Sequence, residues 1–214
     1  MDKMEALKEI AERIESDLVC PLKDAATNLV FGKGSPEAPI LFIGEAPGAK
    51  EDLEGLPFVG SAGKNLDKFL NSIGLTLEDV YIANILKYRP PKNRNPSKEE
   101  IVSHTPYLVE QIKVIQPKII ATLGNFATKF VLAHFKPEDM KKIPGVSQLH
   151  GDKKELKIDG MPFTVFPLYH PAACIYRPHL REVLNEDFAS MGKFLGLECK
   201  PIVEQKTKSL KEFF

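Results

Sequence analysis

Two short segments, roughly 120 residues apart, gather side-chain types that suit chemistry. Gly44-Glu45-Ala46-Pro47-Gly48 closes one apolar run and brings a carboxylate; Tyr169-His170-Pro171-Ala172-Ala173 closes another and brings an imidazole. A carboxylate can orient water, and a neutral imidazole can donate a hydrogen bond to a developing anion. The preceding runs, Ile40 to Gly44 and Phe163 to Leu168, read as buried strands. Both segments are therefore expected at strand carboxyl ends, where open α/β sheets hold their ligands. Taken alone, glycines and a proline after a strand are ordinary turn chemistry. The first segment gains weight from its neighbours along the chain: Glu51-Asp52, then Pro57-Phe58-Val59-Gly60, then Ser61-Ala62-Gly63 at the opening of a helix.

The elements that must position these residues alternate. Met4, Leu7, Ile10, Ala11 and Ile14 recur at helical spacing and predict an amphipathic first helix that ends before Cys20-Pro21. From Ile40 onward, strand and helix patterns succeed one another: Ile40 to Gly44, Ala62 to Ser72, Val80 to Ile85, Lys98 to Ile115, Lys118 to Leu123, Ala127 to Ala133. Continuous apolar runs such as Ile119 to Leu123 suit parallel strands buried on both faces, with right-handed crossovers placing helices on either side. Glu155 to Asp159 and Pro162 to Leu168 flank Gly160 as a hairpin, and Arg181 to Leu195 forms a closing helix. The expected fold is a three-layer α/β/α sandwich around a central, mostly parallel sheet. One domain is expected over residues 1–200, with a tail over 201–214.

Composition narrows the partners. The chain has 214 residues, 43% of them hydrophobic, and its 29 basic and 29 acidic side chains balance to zero. A nucleic acid would then be held by a local basic patch, since the molecule as a whole has no field to offer. Such a patch occurs between Lys87 and Lys98, where Lys87, Arg89, Lys92 and Arg94 lie in a proline-broken stretch without an acid. Three scattered cysteines make no disulfide framework, the opening residues have no apolar signal core, and no run reaches the length of a membrane span. An intracellular, monomeric protein, cytoplasmic or nucleoid-associated, is expected.

The motif order resembles family 4 uracil-DNA glycosylases. Gly44 to Gly48, Glu51-Asp52, Pro57 to Gly60, Ala62-Gly63, Asn84, Lys87 to Arg94, Pro117 to Gly124 and His170 to Ala172 stand in the family's sequence, across roughly residues 20 to 195. The resemblance implies removal of uracil from DNA by a monofunctional enzyme that flips the base. Asn84 would accept from uracil N3–H and donate to O4, a pairing that cytosine reverses. Phe58 would stack on the base, and His170 would donate to O2 as the anion develops. Glu45, Ala46 and Pro47 would complete the pocket wall. The better-known uracil glycosylases carry an Asp where Ala46 stands, so Glu45 is the nearest carboxylate to orient water, and Glu51 resembles the residue thought to bar a C5-methyl group. Phosphates would meet Ser61 and Gly63 at a helix start, the Lys87 to Arg94 loop, and Arg177; the segment Ala173 to Pro178 would wedge into the duplex. A damage-binding or clamp-associated adaptor of the same fold is the competing reading.

Two stretches depart from the family. Its members hold a [4Fe-4S] cluster through four cysteines, and this chain has Asp17, Cys20, Tyr88 and His104 at those places. That set is a poor cluster host, so no cofactor is expected. A single metal ion on Asp17, Cys20 and His104 is the alternative, and ring packing in the vacated volume the third. At the other end, Thr207 to Phe214 resembles a sliding-clamp interaction box, with Leu210, Phe213 and Phe214 as its plug and Thr207 where Gln is usual.

Overall fold

The strands form where aliphatic and β-branched residues run without interruption. In the computed structural model, which describes residues 2–197, they are β1 (Lys33–Gly34), β2 (Ile40–Gly44), β3 (Val80–Asn84), β4 (Ile119–Leu123), β5 (Lys154–Ile158) and β6 (Met161–Leu168). The helices are α1 (Lys3–Asp17), α2 (Pro21–Ala25), α3 (Ala49–Glu54), α4 (Ser61–Ser72), α5 (Lys98–Ile115), α6 (Asn125–Leu132), α7 (Val146–Leu149), α8 (Ala173–Tyr176) and α9 (Leu180–Phe194). Among the described residues one six-stranded sheet runs in the order β1-β3-β2-β4-β6-β5. The four inner strands are parallel; β1 and β5 pair antiparallel at the edges. The three-layer, mostly parallel arrangement expected from the sequence is the arrangement found. The two-residue edge strand β1 and the short helices α2 and α3 have no counterpart in the hydrophobic pattern, because each is too brief to show a period.

Side chains alternate across the strands and fill two cores. Leu41, Ile43, Tyr81, Ala83 and Ile120 face α1, α5 and α6 through Leu7, Ile10, Ile14, Leu108, Ile112 and Phe130. Ile40, Phe42, Val80, Ile82 and Ala121 face α4 and α9 through Leu66, Phe69, Leu70, Leu184 and Phe188. The crossover from β2 to β3 thus leaves on one face with α4, and that from β3 to β4 on the other with α5. Such a divergence opens a crevice at the carboxyl ends of the strands. Helix α5 starts where the sequence says it should, since Ser97 and Glu100 form a reciprocal capping box. The tail residues Leu210, Phe213 and Phe214 lie outside the described residues, as does Cys199.

Candidate active site

Register brings the site together. Gly44 pairs with Asn84 across β2 and β3, and Leu123 with Leu168 across β4 and β6. The residues just beyond these strands therefore surround one cavity of about 400 Å³, lined by Glu45, Ala46, Pro47, Gly48, Glu51, Phe58, Ala62, Asn84, Pro90, Asn93, Arg94, His170 and Ala172. Ala46 and Pro47 supply apolar wall, as expected. The volume suits a small planar molecule.

His170 arrives in a defined protonation state. The Ala172 amide donates to its Nδ1 at 3.2 Å, so the ring proton resides on Nε2. Burial pushes its pKa down to about 4, which keeps the ring neutral near pH 7. Its ring stacks on Phe58 with centroids 5.6 Å apart, and Asn65 of α4 donates to the Pro171 carbonyl at 3.3 Å to hold the loop. Gly124, at φ 91°, passes beneath it; a Cβ there would meet the His170 Cβ at 3.0 Å.

Phe58 sits at φ 53°, a left-handed conformation that typically costs a non-glycine residue on the order of 1 kcal/mol. Three contacts hold it there. Oε1 of Glu51 accepts from the Val59 and Gly60 amides at 3.0 and 2.9 Å, and Lys33 donates to the Phe58 carbonyl at 3.0 Å. Gly63 packs directly on that carbonyl, which a Cβ would approach to 1.8 Å. Asn84 is 2% exposed, and a Cβ on its register partner Gly44 would lie 2.3 Å from its Oδ1 and 3.0 Å from the Phe58 ring. Glycine at position 44 thus leaves room for both the Asn84 amide and the Phe58 ring. Burial raises the pKa of Glu45 above the usual carboxylate range.

Two positions expected to meet phosphate do not face solvent. Lys87 is fully buried: its Nζ donates to the carbonyls of Asn84 at 2.9 Å and Phe31 at 3.4 Å and to Oε1 of Gln111. The charge pattern misled because a lysine in a polar loop is normally solvated, whereas here the neighbouring Leu86 and Tyr88 are core residues too. Gly63 is also buried, and its contribution is the close approach to Phe58. Ser61, Lys92 and Arg177 are exposed, and Arg89 is half-buried with its Nε donating to Asn93 at 2.8 Å. Arg94 lines the cavity mouth but forms a two-pronged ion pair with Glu100, an acid just beyond the loop. Ile175 and Tyr176 stand exposed beside the His170 loop, at 48% and 83%. Sequence reasoning missed Lys33, Asn65 and Asn93; Asn93, inside the Lys87 to Arg94 motif, had a visible signal.

Three of the four cluster positions belong to the core. Cys20, Tyr88 and His104 are buried, and the Tyr88 and His104 rings meet edge to face at 6.3 Å. His104 Nδ1 donates to the Glu100 carbonyl at 2.7 Å, while Nε2 finds no hydrogen-bond partner among the described residues. No group of three or more His, Cys, Asp and Glu side chains placed to hold a metal occurs among the described residues, which include Asp17, Cys20 and His104. The donor set does not fit a four-thiolate cluster.

The crevice at the parallel-strand ends thus brings a recessed amide, an aromatic ring and a neutral imidazole together in an α/β protein. The match to known sequences agrees. Residues 31–189 match the model of the uracil DNA glycosylase superfamily. The chain is 46% identical to a type-4 uracil-DNA glycosylase of Archaeoglobus fulgidus over 90% of this chain and 95% of the relative. Against the type-4 enzyme of Saccharolobus solfataricus it is 44% identical, over 93% and 90% respectively, and against that of Sulfurisphaera tokodaii 44%, over 86% and 83%. This chain belongs to the type-4 family of the uracil DNA glycosylase superfamily.

Proposed function

We propose that the protein removes uracil from DNA as a monofunctional glycosylase, hydrolysing the N-glycosidic bond of a flipped nucleotide and leaving an abasic site for base excision repair. The observation that carries this reading is the pairing of Asn84 with a tautomer-fixed His170 across one cavity. In the first step the bond between C1′ and N1 breaks with its electron pair going to the base. The sugar becomes oxocarbenium-like and uracil leaves as an anion. Nε2–H of His170 donates to O2, where the charge collects, and the Asn84 amide holds N3–H and O4. Phe58 stacks on the ring. Water then adds at C1′, oriented by Glu45, and gives up a proton that ends on the departing uracil anion, while Glu51 supports the Phe58 loop and crowds the C5 side against thymine. A dissociative transition state asks little of a base, which suits a site with Ala46 where other glycosylases have Asp.

DNA approaches over the cavity mouth. Ser61, Arg89, Lys92, Arg94 and Arg177 take phosphates, with Arg94 exchanging its Glu100 partner, and Ile175 and Tyr176 fill the space the base vacates. The protein works without an iron-sulfur cluster, and Tyr88 and His104 fill that volume instead. It acts as a monomer inside the cell, cytoplasmic or nucleoid-associated; among the described residues no helix is long and apolar enough to cross a membrane. Leu210, Phe213 and Phe214 tether it to a replication sliding clamp, which raises its local concentration on DNA.

The deciding assay is release of free uracil from a uracil-containing oligonucleotide beside controls bearing thymine, cytosine or hypoxanthine. Release from uracil alone is expected; an inactive protein that still binds uracil-containing DNA favours the adaptor reading. Iron and sulfide assays after anaerobic purification should find neither in stoichiometric amount.

A further inference from the structure

Lys87 is the least expected group in the molecule. A side chain that carries charge in water lies wholly inside the protein, bonded to the carbonyl of the residue whose amide faces the base. The bonds around it match the charged form, against the desolvation that opposes it. Three oxygens converge on Nζ: the Asn84 carbonyl at 2.9 Å, the Phe31 carbonyl at 3.4 Å and Oε1 of Gln111. A neutral amine has two N–H groups and a lone pair, so one of those oxygens would face the lone pair; an ammonium satisfies all three. The Phe31 ring closes the remaining side, with Nζ 5.8 Å from its centroid. Gln111 is fixed in turn, since its Nε2 donates to the Phe31 carbonyl at 3.2 Å. The partners named are neutral oxygens, so the positive charge is not cancelled locally.

We propose that Lys87 is a positioning and electrostatic residue of uracil excision. Its buried ammonium fixes the end of β3 that presents the Asn84 amide and lowers the energy of the uracil anion as it leaves. The inference rests on the cavity being the uracil pocket. Two links carry the effect. The bond to the Asn84 carbonyl ties the strand end to α5 and the Phe31 segment, so the amide keeps its direction when the pocket is empty. A fixed positive charge inside the low-dielectric core also favours the anion over the neutral base, with no reorganisation needed at the moment of reaction. At an intermediate effective dielectric, a buried unit charge within about 10 Å of the anion contributes on the order of tenfold in rate.

The charge is titratable, which makes the role testable. Burial pulls the Lys87 pKa down to about 7. The titratable groups that face it are Tyr81 on β3, whose hydroxyl faces Gln111 and is pushed up by burial, and His104 on α5, neutral above about pH 4. Neither changes charge between pH 5 and 9. The ammonium is present below about pH 7 and is lost as the pH rises through it, so the single-turnover rate should fall on the alkaline side.

The test measures single-turnover uracil release from pH 5 to 9, oligonucleotide affinity and melting temperature for wild type, Lys87→Met, Gln111→Glu and Asn84→Asp. Lys87→Met should lower the maximal rate about tenfold at pH 6, flatten the alkaline limb and leave affinity unchanged. Gln111→Glu places a carboxylate beside the ammonium and should move the limb to higher pH by a unit or more. This second variant keeps the question open to measurement if Lys87→Met fails to fold. A Lys87→Met protein with the wild-type rate and limb, or a limb unmoved in Gln111→Glu, overturns the proposal. If Asn84→Asp releases uracil at the wild-type rate, the pocket reading itself fails, whatever Lys87 does.

Discussion

Around the cavity, neighbours orient several polar side chains: the Ala172 amide donates to His170, the Val59 and Gly60 amides donate to Glu51, and glycine at position 44 leaves the Asn84 amide its space. At Cys20, Tyr88 and His104, by contrast, rings pack in the core, and His104 keeps one nitrogen bound and the other without a partner among the described residues. Both regions meet at the start of α5, where Glu100 reaches Arg94 at the cavity mouth through its carboxylate and His104 through its carbonyl. The difference is one of polar satisfaction: neighbours orient the polar groups of the first set, and the second keeps a ring nitrogen without a partner among the described residues. Pre-aimed polar groups lower a barrier because they need not reorganise; a buried nitrogen left unpaired contributes only cost.

The largest expected effect breaks the first side of that comparison. In the proposed mechanism His170→Ala removes the donor to O2 of the leaving anion, and loss of such a donor typically costs roughly 10²- to 10³-fold in the chemical step. Single-turnover kinetics on a uracil oligonucleotide should show that loss with DNA affinity nearly intact. An equal fall in affinity, with the chemical step unchanged, would move His170 from chemistry to binding.

The second prediction addresses the other side. Burial depresses the His104 pKa to about 4, against 6.5 in the unfolded chain. Between those values the unfolded state binds more protons, so stability rises with pH there; it is complete above about 6.5 and is lost as the pH falls toward 4. The full window corresponds to about 3 kcal/mol for this group. His170, also shifted down to about 4, adds in the same direction. His104→Leu removes an unpaired buried nitrogen, and the Glu100 carbonyl remains available to its helix, so melting temperature at pH 7 should be unchanged or higher. Thermal melts at pH 7 and pH 5 should show a smaller acid loss in His104→Leu than in wild type. An equal loss in both proteins would place the acid-sensitive group elsewhere.

How much of this was legible in the sequence depends on the range of the interactions involved. The inner strands and α5 were readable because apolar continuity and the Ser97-Glu100 cap are local signals. The places of Asn84 and His170 in the fold were readable because one ends a strand and the other follows one, whereas Phe58, which comes after α3, was singled out by motif order alone. Lys33 was not, because its bond to the Phe58 carbonyl spans 25 positions and belongs to a two-residue edge strand. Lys87 was misread for a related reason. Its charge suggested solvent, and only tertiary packing brings Phe31 and Gln111, 56 and 24 positions away, to meet it.

The smallest effect concerns the surface beside the pocket, and it sharpens the line between exposed and buried cations. Lys92 and Arg177 are exposed, and each should neutralise one phosphate when DNA is bound. Removing one such contact should weaken binding a few-fold at low salt and reduce the slope of log affinity against log salt by about 0.7 to 0.9, depending on strandedness. Lys87→Met should leave that slope unchanged, because a side chain without solvent exposure releases no counterion. Binding isotherms on an uncleavable oligonucleotide at several salt concentrations separate the cases. Arg94 tests the boundary between them: its guanidinium is half exposed but already paired with Glu100, and a phosphate has to displace that carboxylate. Its slope change should therefore fall below that of Lys92, and Glu100→Gln should restore it. A full change for Arg94→Ala in the wild-type background would show that the Glu100 pair gives way to DNA at little cost.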